Sequence, residues 1–336
     1  VKVLHLPYGS PMIDLCRALR KKGIDAAACH FDENRFQFTP DICLRLNILS
    51  KVEREAYLHQ YLKRAMKEYD IFHFHFGETF FPDKSDLKQL KQAGKKMVVH
   101  HHGSDVRMIS IAKQNNPHVR EKPGWSEEKI HHNLTVLSDY IDHAFVQDYE
   151  LEPYIKKYYK QIHVIPHTID TEQIKPHYPD PAQRVPKVVH APTARDLKGT
   201  DAVLQAVNQL KQSGTTLDFQ LIEGKSYKET LQLLSESDVV IDQLRIGASG
   251  FISSEAMALG KTVICYIRKD LESKYPSGSP IVNATPDTIT EVLKEVVQNP
   301  QKRYDLGVKG RQYVVKHHSM EKTAEQYIDV YQQLKI

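Results

Sequence analysis

At 336 residues the chain is too long for one ordinary hydrophobic core and suits two domains. Its 40% hydrophobic and 26% charged residues are ordinary for a globular protein, and a formal charge of +4 is too small to argue for nucleic acid. No run approaches 18 apolar residues, which excludes a membrane-spanning helix, and four scattered cysteines (Cys16, Cys29, Cys43, Cys265) without a CxxC pair predict reduced thiols rather than a disulfide framework. The chain opens on strand-like VKVLHL rather than a leader, so a cytoplasmic location is expected and the Asn133-Leu134-Thr135 sequon is a chance match.

Val1 to Leu6 is a short apolar strand, and Pro7-Tyr8-Gly9-Ser10-Pro11 turns the chain into a helix through Arg20 that Gly23 stops. Ile24 to Cys29 reads as a second strand and residues 51–68 as a charged amphipathic helix. Ile71 to Phe76 and Met97 to His102 are two more strands, separated by a helix over Lys84 to Ala93. A helix over about 127–138 precedes the strand His143 to Gln147. Strands alternating with helices over short connections predict a parallel sheet covered on both faces. Val164-Ile165-Pro166 ends this region, and Pro166, Pro176, Pro179, Pro181 and Pro186 give the following stretch the composition of a hinge.

A second α/β series follows: strand Lys187 to Ala191, a helix from Thr200, strand Leu217 to Ile222, helix Lys228 to Glu236 and strand Val239 to Ile241. A loop with Gly247 and Gly250 leads into a helix that carries Glu255, and a strand begins at Thr262. Ile281-Val282, a helix over 286–297 and helices over about 301–316 and 320–334 complete the chain. Two doubly wound domains with a hinge predict a cleft lined by the loops that follow strands.

Four constellations carry chemistry. The first is the glycine loop of Gly247 and Gly250: glycines let a backbone approach a phosphate, helix N–H groups point at the anion, and a glutamate one turn on can accept ribose hydroxyls. A nucleoside diphosphate site is the expectation. Gly260-Lys261-Thr262 is no P-loop, because the glycine needed five positions earlier is Glu255. In the second, Arg195 and Lys198 precede a helix N-terminus, where cations are electrostatically out of place unless an anion sits between them. The third, His100-His101-His102-Gly103-Ser104-Asp105-Val106-Arg107, follows a strand; alternation sets His100 and His102 on one side, with His102, Asp105 and Arg107 expected at the cleft. The fourth, Phe72-His73-Phe74-His75-Phe76, holds an HxH pair similar to the metal ligands of amidohydrolases, which would require a (β/α)₈ barrel and further ligands; histidines packed in a sheet are the stronger reading. The basic run Arg45, Lys51, Arg54, Lys63, Arg64, Lys67, broken by Glu53, Glu55 and Glu68, reads as a solvated helix face, with weak contact to an anionic membrane or an acidic acceptor as the rival.

Together these features resemble the GT-B-fold glycosyltransferases, and within them the retaining family 4 and its relatives. The resemblance rests on HGSD after a strand, VIPHTIDTEQIKP at the hinge, the Lys198-Gly199 turn, GASGFISSEAMALGKTV and the closing helix after His317-His318-Ser319. It implies two Rossmann-like α/β domains, 1–165 on the acceptor side and 166–318 for the nucleotide-sugar, with residues 319–336 as a helix packing back on the first. It also implies roles by position. Glu255 holds the ribose, Phe251 and Ile252 offer backbone N–H groups, Lys198 neutralises the diphosphate, His102 lies beside the donor sugar, and Gly9 sits in the loop after the first strand. Gly247, Ser249, Gly250 and Thr193 complete the donor set.

Three positions depart from the pattern. Gly247 stands where relatives carry the first glutamate of E-x7-E, and Thr193 stands at the family arginine, with Arg195 displaced from it. The stretch from Glu223 to Asp238 is short. The implied activity is transfer of a sugar from a nucleoside diphosphate, UDP foremost, to a hydroxyl of a small molecule, glycan or lipid-linked acceptor. Retention, no cofactor and no obligate metal come with it. A nucleotide-sugar epimerase and a non-catalytic nucleotide-sugar-binding protein are the rivals.

Overall fold

The computed structural model describes residues 1–334. They divide into two compact units: 1–108 with 123–168 and Met320 onward, and 109–122 with 169–319. In the first, β1 (Lys2–Leu6), β2 (Asp25–His30), β3 (Ile42–Cys43), β4 (Ile71–His75), β5 (Lys96–His101), β6 (His143–Val146) and β7 (Gln161–Val164) form a parallel sheet ordered β3-β2-β1-β4-β5-β6-β7. The sequence pattern misses β3, which is two residues long, and β7, a partly exposed edge strand.

Strand β4 shows why this sheet needs cover on both faces. All five of its residues, IFHFH, are buried. Alternation sends Phe72 and Phe74 to one face, where both meet Phe80 edge-on, and His73 and His75 to the other. The C-terminal helix Met320–Gln333 covers the histidine face with Tyr327 and Tyr331, four residues apart. Lys22 fastens its outer side to Glu321 and Glu325 at 3.2 and 3.0 Å. The helix Lys51–Glu68 starts at a reciprocal cap in which the Ser50 side chain accepts from the Glu53 N–H while the Glu53 carboxylate accepts from the Ser50 N–H.

In the second unit β8 (Lys187–His190), β9 (Asp218–Leu221), β10 (Val239–Ile241), β11 (Thr262–Cys265) and β12 (Val282–Asn283) form a parallel sheet ordered β12-β11-β10-β8-β9. One face packs on helices Phe251–Ala258 and Pro300–His317, the other on Thr200–Gln212 and Ile289–Gln298. The segment 109–122 lies between β5 and β6 in sequence, inside the expected first domain, yet it clusters with this second unit. Hydrogen bonding explains the difference: Asn116 Nδ2 donates to the carbonyls of Arg245 and Ile246 at 2.8 and 2.9 Å.

The expected α/β class with parallel, doubly covered sheets is what the chain adopts. A (β/α)₈ barrel is excluded, and with it the fold that the metal-hydrolase reading required. Strand order reverses between β1 and β4 in one sheet and between β8 and β10 in the other. In open α/β sheets, ligands sit beyond the carboxyl ends of strands at such reversals. All four cysteines are free. Among the described residues no helix is long and apolar enough to cross a membrane.

Candidate active site

The reversal between β8 and β10 brings together two loops of the second unit, 191–199 and 242–250. The residue that organises them is Asp242, directly after β10 and buried. Its Oδ2 accepts from the Gly250 N–H and the Ser253 hydroxyl, each at 2.7 Å, and its Oδ1 accepts from Lys198 Nζ at 3.1 Å. Lys198 Nζ also donates to Gln243 Oε1 at 2.6 Å, and Gln243 Nε2 donates to the Ala248 carbonyl. Helix Phe251–Ala258 therefore begins beside a fixed ammonium. Gly250 at its N-cap carries no side chain to block its first turn. Glu255, one turn on, is buried at 4% exposure.

Gly250 is a steric requirement. A Cβ there would lie 2.7 Å from Asp242 Oδ2 and 3.1 Å from Lys198 Nζ. Gly250→Ala is expected to displace the Asp242–Lys198 pair and to lower the melting temperature by several degrees, a cost of about 1–3 kcal/mol for overpacking. A thermal melt of that variant showing no loss would mean that the loop relaxes freely.

The expectation of two cations waiting for an anion needs correction, because each already has a carboxylate. Arg195 forms a bidentate pair with Glu223, with its side chain 59% exposed, whereas Lys198 is 16% exposed and paired to Asp242. Arg195 is thus a surface ion pair worth little in water, and Lys198 is the organised cation. Thr193 is exposed in the same loop, and Ser249 is held through its N–H, which donates to Tyr275 Oη at 3.2 Å. Gly247 has φ +88°, and a Cβ there would lie 2.4 Å from the Arg268 stem. The space beside this glycine is thus filled by an arginine that is itself bound to Asp270 at 2.8 and 3.0 Å. Lys261 is buried and donates to the His177 carbonyl, which confirms that Gly260-Lys261-Thr262 is not a phosphate loop.

In the first unit the histidines form a layer on one face of the sheet. Tyr331 Oη meets His73 Nδ1 at 2.7 Å and His5 Nε2 at 3.3 Å. His5 Nδ1 meets His75 Nε2 at 3.1 Å, and His75 Nδ1 meets His102 Nε2 at 3.0 Å. The His102 ring is stacked between Phe76 and His100, at centroid distances of 4.2 and 4.3 Å, as alternation from His100 predicted. Burial lowers the pKa of every ring in this relay, to about 3 for His5 and His100, so the layer is neutral near pH 7. Two triplets, His5–His73–His75 and His75–His100–His102, each bring three ring nitrogens within 4.8 Å of one another and are the residues that could hold a transition metal.

Asp105 is wholly buried. Its Oδ2 lies 2.7 Å from His101 Nδ1, and its Oδ1 accepts from the N–H groups of His102 and Gly103 at 3.0 Å. Burial would raise its pKa, but the His101 ring and these hydrogen bonds win and hold it below the ordinary value. It therefore shapes the turn that carries His102 rather than lining a wall. Arg107 is likewise committed, bidentate to buried Glu150 at 2.9 and 2.7 Å. Gly9, buried before the first helix, approaches Phe76 so closely that a Cβ would lie 3.2 Å from its ring. Sequence reasoning missed Asp242; a carboxylate directly after a core strand at a reversal point was the available signal.

Residues 197–329 match the family described as "Glycosyl transferase-like". No curated protein matches the chain. Solved structures match over the whole length. A sucrose-phosphate synthase from Thermosynechococcus elongatus shares 15% identity, covering 99% of this chain and 98% of that one, with a TM-score of 0.69. Anabaena HepE in complex with UDP-glucose shares 13% identity over 98% and 99%, with a TM-score of 0.68. The UDP-GlcNAc 2-epimerase of Neisseria meningitidis shares 14% over 99% and 100%, with a TM-score of 0.56. The structural likenesses, at 13–15% identity, show the GT-B fold. The family match covers residues 197–329, the stretch that carries Lys198, Asp242, Gly250 and Glu255.

Proposed function

We propose that the chain moves a sugar from a UDP-sugar to a hydroxyl acceptor, with retention of anomeric configuration and without an obligate metal or cofactor. The observation that carries this reading is the Lys198–Asp242–Gly250 assembly at the start of helix Phe251–Ala258, with Glu255 buried one turn on. The sugar C1–O bond to the diphosphate breaks with its electron pair on the departing oxygen, the acceptor oxygen bonds to C1, and the acceptor proton passes to the leaving phosphate. Charge on that phosphate grows as the bond breaks, and a fixed ammonium and uncapped helix N–H groups stabilise it most at that moment. Two carboxylates near a metal would be the other way to hold a diphosphate; here the buried carboxylate is spent on positioning Lys198.

A thermal-shift screen of nucleoside diphosphates and their sugars, followed by UDP-release assays on the best donor, tests the proposal. Stabilisation by UDP and by a UDP-sugar is expected, and indifference to every nucleotide would sink it. Turnover of donor without acceptor into an isomeric sugar would instead support the epimerase reading that the Neisseria fold likeness keeps open. Binding without turnover of any donor would leave a non-catalytic protein. Glu255→Ala is expected to weaken UDP binding about ten- to a hundred-fold by removing a charged hydrogen-bond acceptor. Calorimetry reads that change, and unaltered affinity would remove Glu255 from the ribose site.

A further inference from the structure

The first unit contains a pocket of about 460 Å³, the size of a small-molecule site. It opens beyond the carboxyl ends of β2 and β4, next to the reversal in strand order. Aromatic rings dominate its wall: Phe31, Phe76, Phe80, Phe81 and Trp125. Phe76 also stacks on His102, so the pocket ends against the histidine relay. Its backbone is held at φ +57°, a left-handed conformation that a phenylalanine adopts only under constraint, and Gly77 follows at φ +62°.

Three cations line this aromatic pocket: Arg54, Lys84 and Lys129. None of them forms an ion pair with any described carboxylate. Arg54 Nε and Lys129 Nζ reach only the backbone carbonyls of Leu46 and Gly124, each at 3.3 Å, and Lys129 lies 5.0 Å from the Trp125 ring centroid. Burial lowers the pKa of Lys84, only partly offset by Asp86, Glu78 and Asp83. Two carboxylates, Asp32 and Glu78, share the lining, so the three cations outnumber them by one; Asp32 accepts from the Asn47 N–H at 2.6 Å. Elsewhere Arg107, Arg195, Lys198, Arg245 and Arg268 each hold a carboxylate, whereas Arg303, Arg311 and Lys261 are spent on backbone carbonyls. Three unpaired cations around aromatic rings are built for a ligand that brings both a ring and a negative charge.

We propose that this pocket binds the acceptor, and that the acceptor joins a ring body to an anionic group, phosphate or carboxylate. The assignment rests on the transferase reading above. The ring lies on the aromatic wall, the anion meets Arg54, Lys84 and Lys129, and the hydroxyl to be glycosylated is presented at the Phe76–His102 end. No additional reactant is needed, since the acceptor oxygen replaces the diphosphate oxygen on C1 and its proton leaves with that diphosphate.

Trp125 is the sole tryptophan, so its emission reports this pocket in the intact chain. Titration with phenyl phosphate, benzoate and glucose 6-phosphate, against benzyl alcohol and glucose, measures the preference. The anionic compounds are expected to bind at least about ten-fold tighter than their neutral counterparts, with affinity falling as salt rises. Phenyl phosphate against benzoate separates phosphate from carboxylate recognition. Arg54→Gln and Lys84→Gln are expected to weaken binding about five-fold or more each, and Glu78→Gln to strengthen it, with unchanged melts confirming folded protein. Equal binding of neutral and anionic compounds, or no response to any of them, overturns the proposal. UDP binding is measured on the same samples: UDP bound with the pocket silent defeats this inference alone, whereas anions bound without UDP defeat the transferase reading and the acceptor role together. Finally, the hydroxyl-bearing anion glucose 6-phosphate should raise UDP release above the rate in water, and glucose should not.

Discussion

Lys198→Ala is expected to lower kcat for UDP release by about 10²–10³-fold, the usual loss when one preorganised charge-stabilising donor is removed. Three features set the size of the effect. The ammonium is largely withdrawn from solvent, it is fixed by Asp242 at 3.1 Å and Gln243 at 2.6 Å, and it stands at the opening turn of a helix whose N-cap is glycine. A diphosphate gains charge as it departs, so the loss should fall more on kcat than on donor affinity. Arg195→Ala should cost less than about ten-fold, because its partner Glu223 is a surface carboxylate and the guanidinium is exposed. Steady-state kinetics of the two variants, each checked by thermal melt, compare them directly. A folded Lys198→Ala protein that turns over donor at the wild-type rate would falsify the site assignment.

The second large effect is acid instability of the first unit. His5, His73, His75, His100 and His102 are held neutral in the folded protein by burial, with pKa values lowered to about 3 for His5 and His100 and well below the ordinary value for the other three. In the unfolded chain each would titrate near 6.5. Below that pH the unfolded state therefore binds protons that the folded state refuses, and stability falls as pH falls, beginning near 6.5 and continuing toward 3. Each neutral imidazole contributes about 1.4 kcal/mol of loss per pH unit in that window, so a few acting together rival the whole stability of a domain. Urea unfolding followed through Trp125, which lies in this unit, should show a midpoint that drops steeply from pH 7 to pH 5.5. His100→Phe should make the drop shallower by about one proton. A midpoint indifferent to pH across that range would mean the rings are already protonated or hydrated in the folded state.

The histidine layer also shows how far local pattern reaches. Alternation alone put His73 with His75 and His100 with His102 on common sides, because strand geometry fixes side-chain parity whatever the fold. It could not show that the four rings share one face with His5, since that depends on β1, β4 and β5 being neighbours, with His5 beside His73 and His75 beside His100. Nor could it show that Tyr327 and Tyr331, more than 220 residues downstream of His100, close the layer. The charged residues teach the same lesson in reverse. Arg195 and Lys198 looked alike in sequence; Glu223 and Asp242, which distinguish them, arrive from other strands.

The sequence by itself determined the α/β class, the strands whose apolar runs are long enough to be read, the glycine loop before Phe251 and the placement of Glu255 one helical turn beyond it. Those are consequences of backbone geometry over a few residues. Tertiary structure alone decided which carboxylate each cation meets, that Asp242 ties Lys198 to the start of the helix, and that residues 109–122 cluster with the second unit. It also decided that three basic residues from separate segments line one aromatic pocket without an ion-pair partner among the described carboxylates. The physical reason is common to all of these: charge pairing and burial act over a few ångströms in space, and the residues concerned lie tens to hundreds of positions apart along the chain. Even the glycine loop changed meaning on that account, since Gly250 proved necessary for the carboxylate and ammonium packed against it.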